Sequence, residues 1–368
     1  MTAMALSMGV CTGSMLLSAV VAGVLAAVAY VIKPETSLLP MFLSFTVILS
    51  AVNTVGPEGA IIVMILSGLM VLISGKLTSI RAGINSPSFL PAIMISAALT
   101  ITVLITNDYF GIGASGNTVI QMLKSYRSFG FHPNWRGILY GTIVMVIMIT
   151  YPRKFKKASK IVSAAFVAVI ATYLLNLVLV PRGSVETFRM IGTPDLEVYS
   201  IRDIPGIKAS GISSVLYILL YAFAETCTFI IAVTDEEYEK KTNLYAGTMG
   251  VLVMPALFGY TYPGKVAKSA EEMLPGLISA AIMAACYFPT KLFARLPVAS
   301  CAVVLIVGIW QQVKWGKLKD AFSSVPCAAI FITIVAISLL TNMAAGLVAG
   351  LLICSVYQKS KEMRAAQN

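Results

Sequence analysis

The sequence is poor in acids and almost without histidine: its 368 residues include 16 Asp and Glu and one histidine, His132. A single imidazole cannot build a histidine-rich metal centre, and neither a metal nor another cofactor is expected. The six cysteines, Cys11, Cys227, Cys286, Cys301, Cys327 and Cys354, stand singly in apolar runs without paired spacing. They read as small buried hydrophobes rather than as a disulfide framework. Charge of either sign is scarce: 12% of residues are charged, against roughly 25% in an ordinary soluble domain. Nothing resembles a nucleophile, base and orienter set or a phosphate-cradling loop, so an enzyme is not expected.

What the chain has in quantity is apolar length. Hydrophobic residues make up 58% of it and mean hydropathy is +0.87. Runs such as Gly137–Tyr151, Lys160–Pro181, Ile212–Val233 and Ala328–Thr341 approach or exceed the ~20 residues that cross a ~30 Å hydrocarbon core. The expected fold class is an all-α polytopic membrane protein with about twelve membrane elements. The net charge of +11 points to a bilayer, not to nucleic acid, because the cations sit in short loops. Arg153 to Lys160, Lys240 with Lys241, Lys314 to Lys319, and Lys359 to Arg364 form such clusters. They mark cytoplasmic loops by the positive-inside rule, in a plasma or inner membrane. The C-terminus is expected on that side, and the N-terminus too for an even number of crossings. Residues 1–30 lack a basic start and read as a retained helix instead of a signal peptide.

The chain divides near its middle into residues 1–181, a mixed-charge connecting segment 182–210, and residues 211–368. Each half holds an interrupted segment: Ser7 to Ser14 in the first, rich in small polar residues, and the stretch with Gly259, Pro263 and Gly264 in the second. Such pairs point to a transporter built from inverted repeats, with its site where half-helix ends meet at the midplane.

The second stretch, FGYTYPGKVAKSAEE, places Lys265 and Lys268 where a helix would start. Helix starts normally favour acids. A bound anion resolves the conflict, since unpaired N–H groups at Val266 and Ala267, the Ser269 side chain and the Lys268 ammonium would hold it together. The same residues also fit a hydrated loop. Glu225, in YILLYAFAETCTFIIAV, is an acid inside an apolar helix, which costs at least ~2.5–3.5 kcal/mol and so marks a site, a proton relay or an ion-pair partner. Protonated, it would stop repelling an anion. Thr226 and Thr228 beside it are expected to bond back to their own helix. Ser7, Cys11, Thr12 and Ser14 would supply the facing contacts, or allow close helix packing. Gly346 and Gly350 form a GxxxG, more a packing signal than a dimer signal.

From about Gly56 onward the chain resembles the membrane domain of the sulfate permease (SulP) family of anion transporters. The likeness lies in IVMILSGLMVLISGKLTSIRAGINSPSFLPAIMISAALTITVL, in TYPRKFKKASKIVSAAFVAVIATYL, in Tyr221 to Glu272, and in RLPVASCAVVLIVGIWQQVKWGKLKDAF with its following apolar hairpin. The resemblance implies an inverted repeat of seven helices plus seven, with gate elements at roughly 89–181 and 296–357 and a core formed by the remainder. It implies an anion contact at Ala267-Lys268-Ser269, where the family often has Ser-Arg-Ser. Lysine keeps a point charge but loses the planar fork, which favours a small or monovalent anion over sulfate. Two departures from the family pattern are expected: a start at the equivalent of the third helix, near Cys11 and Thr12, and the absence of the usual C-terminal regulatory domain. The implied function is secondary transport or exchange of a small inorganic anion of the sulfate, bicarbonate or chloride class by an elevator-like movement, with proton or sodium coupling and a homodimer left open. The alternatives are a proton-coupled nucleobase permease of the same fold and a non-transporting fragment or subunit.

Overall fold

The structure is a computed structural model that describes residues 37–40, 42–73, 84, 86–112, 116, 118–130, 132–179, 212–234, 261–264 and 296–367. The described chain runs β1 (Ser37–Pro40), α1 (Phe42–Ile73), α2 (Phe89–Phe110), α3 (Val119–Phe129), α4 (Trp135–Lys154), α5 (Ala158–Ile161), α6 (Ala164–Leu179), α7 (Ile212–Thr234), β2 (Thr261–Gly264), α8 (Val298–Gln312), α9 (Trp315–Ala321), α10 (Val325–Leu340) and α11 (Met343–Gln367). The segment 182–210 and the acidic-basic run at 235–241 lie outside the described residues.

The fold is helical, as expected, with one addition: β1 and β2 pair antiparallel, Ser37 opposite Gly264 and Pro40 opposite Thr261. Three described helices, α2, α4 and α11, are long and apolar enough to cross a membrane singly, and the bent pair α8 and α9 counts as a fourth. The chain is an integral membrane protein with several crossings. Large apolar side chains on the outside, among them Leu139, Val146, Ile332, Leu352 and Val356, are what a lipid-facing surface requires, because lipid leaves no reason to hide them.

Local chemistry sets the breaks. α1 is two helices joined at Gly56, whose φ of 80° and ψ of 169° are non-helical. Only glycine adopts that φ without a Cβ clash, and Pro57 disfavours helix in the residue before it. α2 stops at Gly111 in the left-handed conformation, φ 63°. Ser324 caps α10 by accepting from Cys327 N, with Pro326 in the first turn where a missing N–H costs nothing. Asn342 caps α11 by accepting from Ala345 N at 2.8 Å.

Packing sorts the helices into two groups. α7 lies chiefly on α1, while α2 packs on α8 and α10, α4 on α8 and α6, and α10 on α11. The gate elements implied at 89–181 and 296–357 correspond to the second group. A Cβ on Gly137 would sit 3.8 Å from Ala299, and one on Gly141 2.9 Å from Val303, so α4 and α8 run parallel. α2 runs against both: Tyr109 O would lie 3.5 Å from that Gly137 Cβ, and Trp310 Nε1 donates to Thr102 Oγ1 at 2.9 Å. Gly346 faces Ser338, and Gly350 faces Ile334 and Phe89. These registers bring the end of α4, the end of α8 with α9, and the last turns of α11 to the end of the bundle where α2 begins. The exposed cations Arg153 to Lys157, Lys314 to Lys319 and Lys359 to Arg364 therefore share one side.

Candidate functional site

The site begins with the strand pair. In an antiparallel pair the two chains leave from opposite ends, and four residues at ~3.3 Å each span about 10 Å. The chain leaves Pro40 toward α1 at one end of the pair and leaves Gly264 toward Lys265 at the other. The starts of an element in the first half and a segment in the second are thus tied together across the molecule. Each strand contains a proline, Pro40 and Pro263. Proline removes one ladder donor, so it suits short two-stranded pairs.

The 261–264 stretch pairs with residues 37–40, whereas residues 7–14, expected to supply the facing contacts, lie outside the described residues. Cys11 and Thr12 lie outside the described residues, as do Lys265, Val266, Ala267, Lys268 and Ser269. A four-residue strand has too little alternation to stand out from an apolar sequence; a proline in each, within SLLPMFLSF and TYPGKVAKS, is the one feature that the two stretches share.

Glu225 is described, and it is deeply buried, 2% exposed, in the middle of α7. Its Oε1 accepts a hydrogen bond from the hydroxyl of Ser44, the third residue of α1. The carboxylate therefore sits at the N-terminal turn of the helix that follows β1, where unpaired N–H groups and the helix dipole favour negative charge. Leu43, Ser44 and Thr46 at that end are buried, none more than 1% exposed. One turn earlier on α7, Tyr221 Oη lies 2.9 Å from both Ser50 Oγ and Thr54 Oγ1. This second polar contact fixes the first part of α1 against α7. Beyond the Gly56 break α1 reaches α7 again, where Thr226 Oγ1 is 3.5 Å from Ser67 Oγ.

The threonines behave as their helical setting predicts. Thr226 donates to Ala222 O at 2.8 Å and Thr228 to Glu225 O at 2.7 Å, so both spend their protons on the helix. Among the described cysteines, Cys227, Cys301, Cys327 and Cys354 are free and buried. No group of three or more metal-ligating side chains occurs among the described residues.

A small cavity of about 20 Å³ lies beside the first part of α1, where Thr46, Ser50, Asn53, Thr100 and Asn342 share the lining with apolar Leu49, Leu104, Val119, Leu339 and Met343. That volume holds a guest of about one water. It lies between the two helix groups and away from the basic end.

No protein-family model matches the chain, and no curated protein sequence does. Solved structures do match. The transmembrane domain of a cyanobacterium bicarbonate transporter, BicA, superposes with a TM-score of 0.66 at 16% identity, over 96% of this chain and 92% of that one. The murine anion transporter Slc26a9 in its inward-facing state gives 0.66 at 12% identity, over 98% of this chain and 66% of that one. A structure of SLC26A9 gives 0.56 at 13%, over 97% and 65%; the chain thus spans about two thirds of these longer proteins. Its fold is that of the BicA transmembrane domain and of the matching part of Slc26a9.

Proposed function

We propose that the protein is a secondary transporter of a small inorganic anion, of the SulP kind that its motifs resemble. The observation that carries the reading is the β1–β2 pair, which ties the start of α1 to the chain entering Lys265. In this reading the segment after Gly264 begins a half-helix, and a solute anion lies between two helix starts. Val266 and Ala267 supply N–H groups, Ser269 a hydroxyl and Lys268 the full positive charge. The likeness to proteins described as a bicarbonate transporter and an anion transporter supports the same chemistry.

The α1–α7 group with the strand pair forms the moving core and the α2-to-α11 group the gate, and sliding of one against the other exposes the site alternately. The shared basic end faces the cytoplasm. Glu225 carries the coupling proton. A nucleobase permease also needs a carboxylate near a helix start, which Glu225 satisfies, but two lysines beside the other start favour a negative solute.

Uptake into liposomes of labelled sulfate, bicarbonate and chloride, with and without a pH or sodium gradient and with unlabelled uracil as competitor, tests this. Anion accumulation insensitive to uracil is expected. Uracil transport, or no flux of any anion, would overturn the reading.

A further inference from the structure

The end of the bundle opposite the basic clusters carries cations of its own. Residues 105–142, which join the end of α2 through α3 to the start of α4, contain one acid, Asp108, against Lys124, Arg127 and Arg136. The positive-inside rule leaves these three unexplained, because it gathers cations at the other end.

Their depth follows from α4. Trp135, Leu139, Thr142, Val146, Ile149 and Arg153 are all exposed, and their spacing of three and four residues places them on one helix face. From Trp135 to Arg153 the helix rises about 27 Å, close to the ~30 Å thickness of a hydrocarbon core. A tryptophan at one end of a mainly apolar stripe and an arginine at the other are what the two interfaces favour. Trp135, 66% exposed, therefore marks the headgroup level, and the Arg136 guanidinium lies 5.2 Å from the centre of that indole ring.

α3 is fastened at the same level. Asn134 N donates to Phe110 O at 2.7 Å, which draws the start of α4 to the end of α2 with α3 in the connection between them. With 11 residues it is too short to cross a bilayer. Val119 and Met122 are buried, and Met122 packs with Ile112 and Tyr126. Leu123, Lys124 and Arg127 are exposed, with the two cations one turn apart. An exposed leucine beside two cations on a short helix at headgroup depth is the pattern of a helix that lies in the interface.

We propose that α3 is such an interfacial helix, and that Lys124 and Arg127, with Arg136 at the same level, bind the phosphate of an anionic phospholipid in the leaflet opposite the basic clusters. Charge complementarity selects the headgroup, through charge-assisted hydrogen bonds from ammonium and guanidinium to phosphate oxygens. The exposed stripe of α4 from Leu139 onward takes the acyl chains. This lipid site concerns the bilayer and stands apart from which solute the protein carries.

Trp135 serves as the local reporter, read as the difference in tryptophan fluorescence between the full chain and its Trp135→Phe variant, so that Trp310 and Trp315 cancel. Both are reconstituted in phosphatidylcholine bilayers with brominated phosphatidylglycerol or brominated phosphatidylcholine as the quencher. A cation near the surface favours an anionic lipid about fivefold. The brominated phosphatidylglycerol is thus expected to win at Trp135 by about fivefold or more at low salt. That preference should fall toward parity in about 0.5 M salt, and in a Lys124→Gln, Arg127→Gln double variant whose unfolding temperature is unchanged. Equal quenching by the two lipids in the parent, or a preference that the folded double variant keeps, overturns the headgroup site. Absence of quenching by either lipid would put this face in water or under a second copy of the chain, and overturns it as well. The salt comparison uses the parent alone and decides the matter where the double variant does not fold: a preference unmoved by salt overturns the site.

Discussion

At the scale of single residues, the α1–α7 interface is where function and stability meet. Tyr221 is fully buried and its hydroxyl serves Ser50 and Thr54 at once. Removing that hydroxyl takes a hydrogen-bond partner from half-buried Ser50 and exposed Thr54, at a cost of about 0.5–1.5 kcal/mol. Tyr221→Phe is therefore expected to lower the unfolding temperature in detergent while leaving the anion preference unchanged; an altered preference would mean that Tyr221 contacts the solute. The sequence alone revealed Glu225 as an odd residue, and it revealed the self-bonding of Thr226 and Thr228, because both follow from a polar group in an apolar helix. It did not reveal Ser44. That contact joins residues 181 positions apart, and a serine near a helix start has no pattern that distinguishes a partner of a distant acid from an ordinary packing residue.

Elements add constraints that a single residue does not carry. Gly56 holds a positive φ where α1 breaks. Alanine there is expected to cost about 1–2 kcal/mol from the left-handed backbone penalty, visible as reduced thermal stability, whereas no loss would mean that the break tolerates a Cβ. The GxxxG of α11 is consumed inside the chain: a Cβ on Gly346 would come within 2.8 Å of the Ser338 backbone. Gly346→Ala should destabilise the α10–α11 hairpin by about 1–3 kcal/mol and leave the oligomeric state untouched, with partial recovery on adding Ser338→Gly. A homodimer that dissociates in Gly346→Ala at unchanged stability would contradict this. Helix existence was legible throughout, because apolar length is a strong signal. The strand pair was not, since four residues with a proline carry too little periodicity.

For the whole molecule, composition and loop charge were the most legible features. Low charge and long apolar runs gave the membrane class, and the basic clusters gave a common side that the helix registers reproduce at three places. Single cysteines at Lys156, Lys317 and Lys361 in a background without reactive cysteine are expected to react with an impermeant reagent from the cytoplasmic side only; labelling from both sides would break the parallel arrangement of α4 and α8. The solute site was less legible, because it is assembled from two halves of the chain and depends on which starts face each other. Its central claim is that a solute anion is held between the start of α1 and the cation-bearing segment after Gly264. The most direct measurement compares anion uptake by the parent and by Lys268→Ala in the same liposomes. Losing a charge-assisted contact worth about 1.5–3 kcal/mol predicts uptake reduced roughly tenfold to a hundredfold at low anion concentration with the unfolding temperature unchanged, and undiminished uptake by the variant would contradict it.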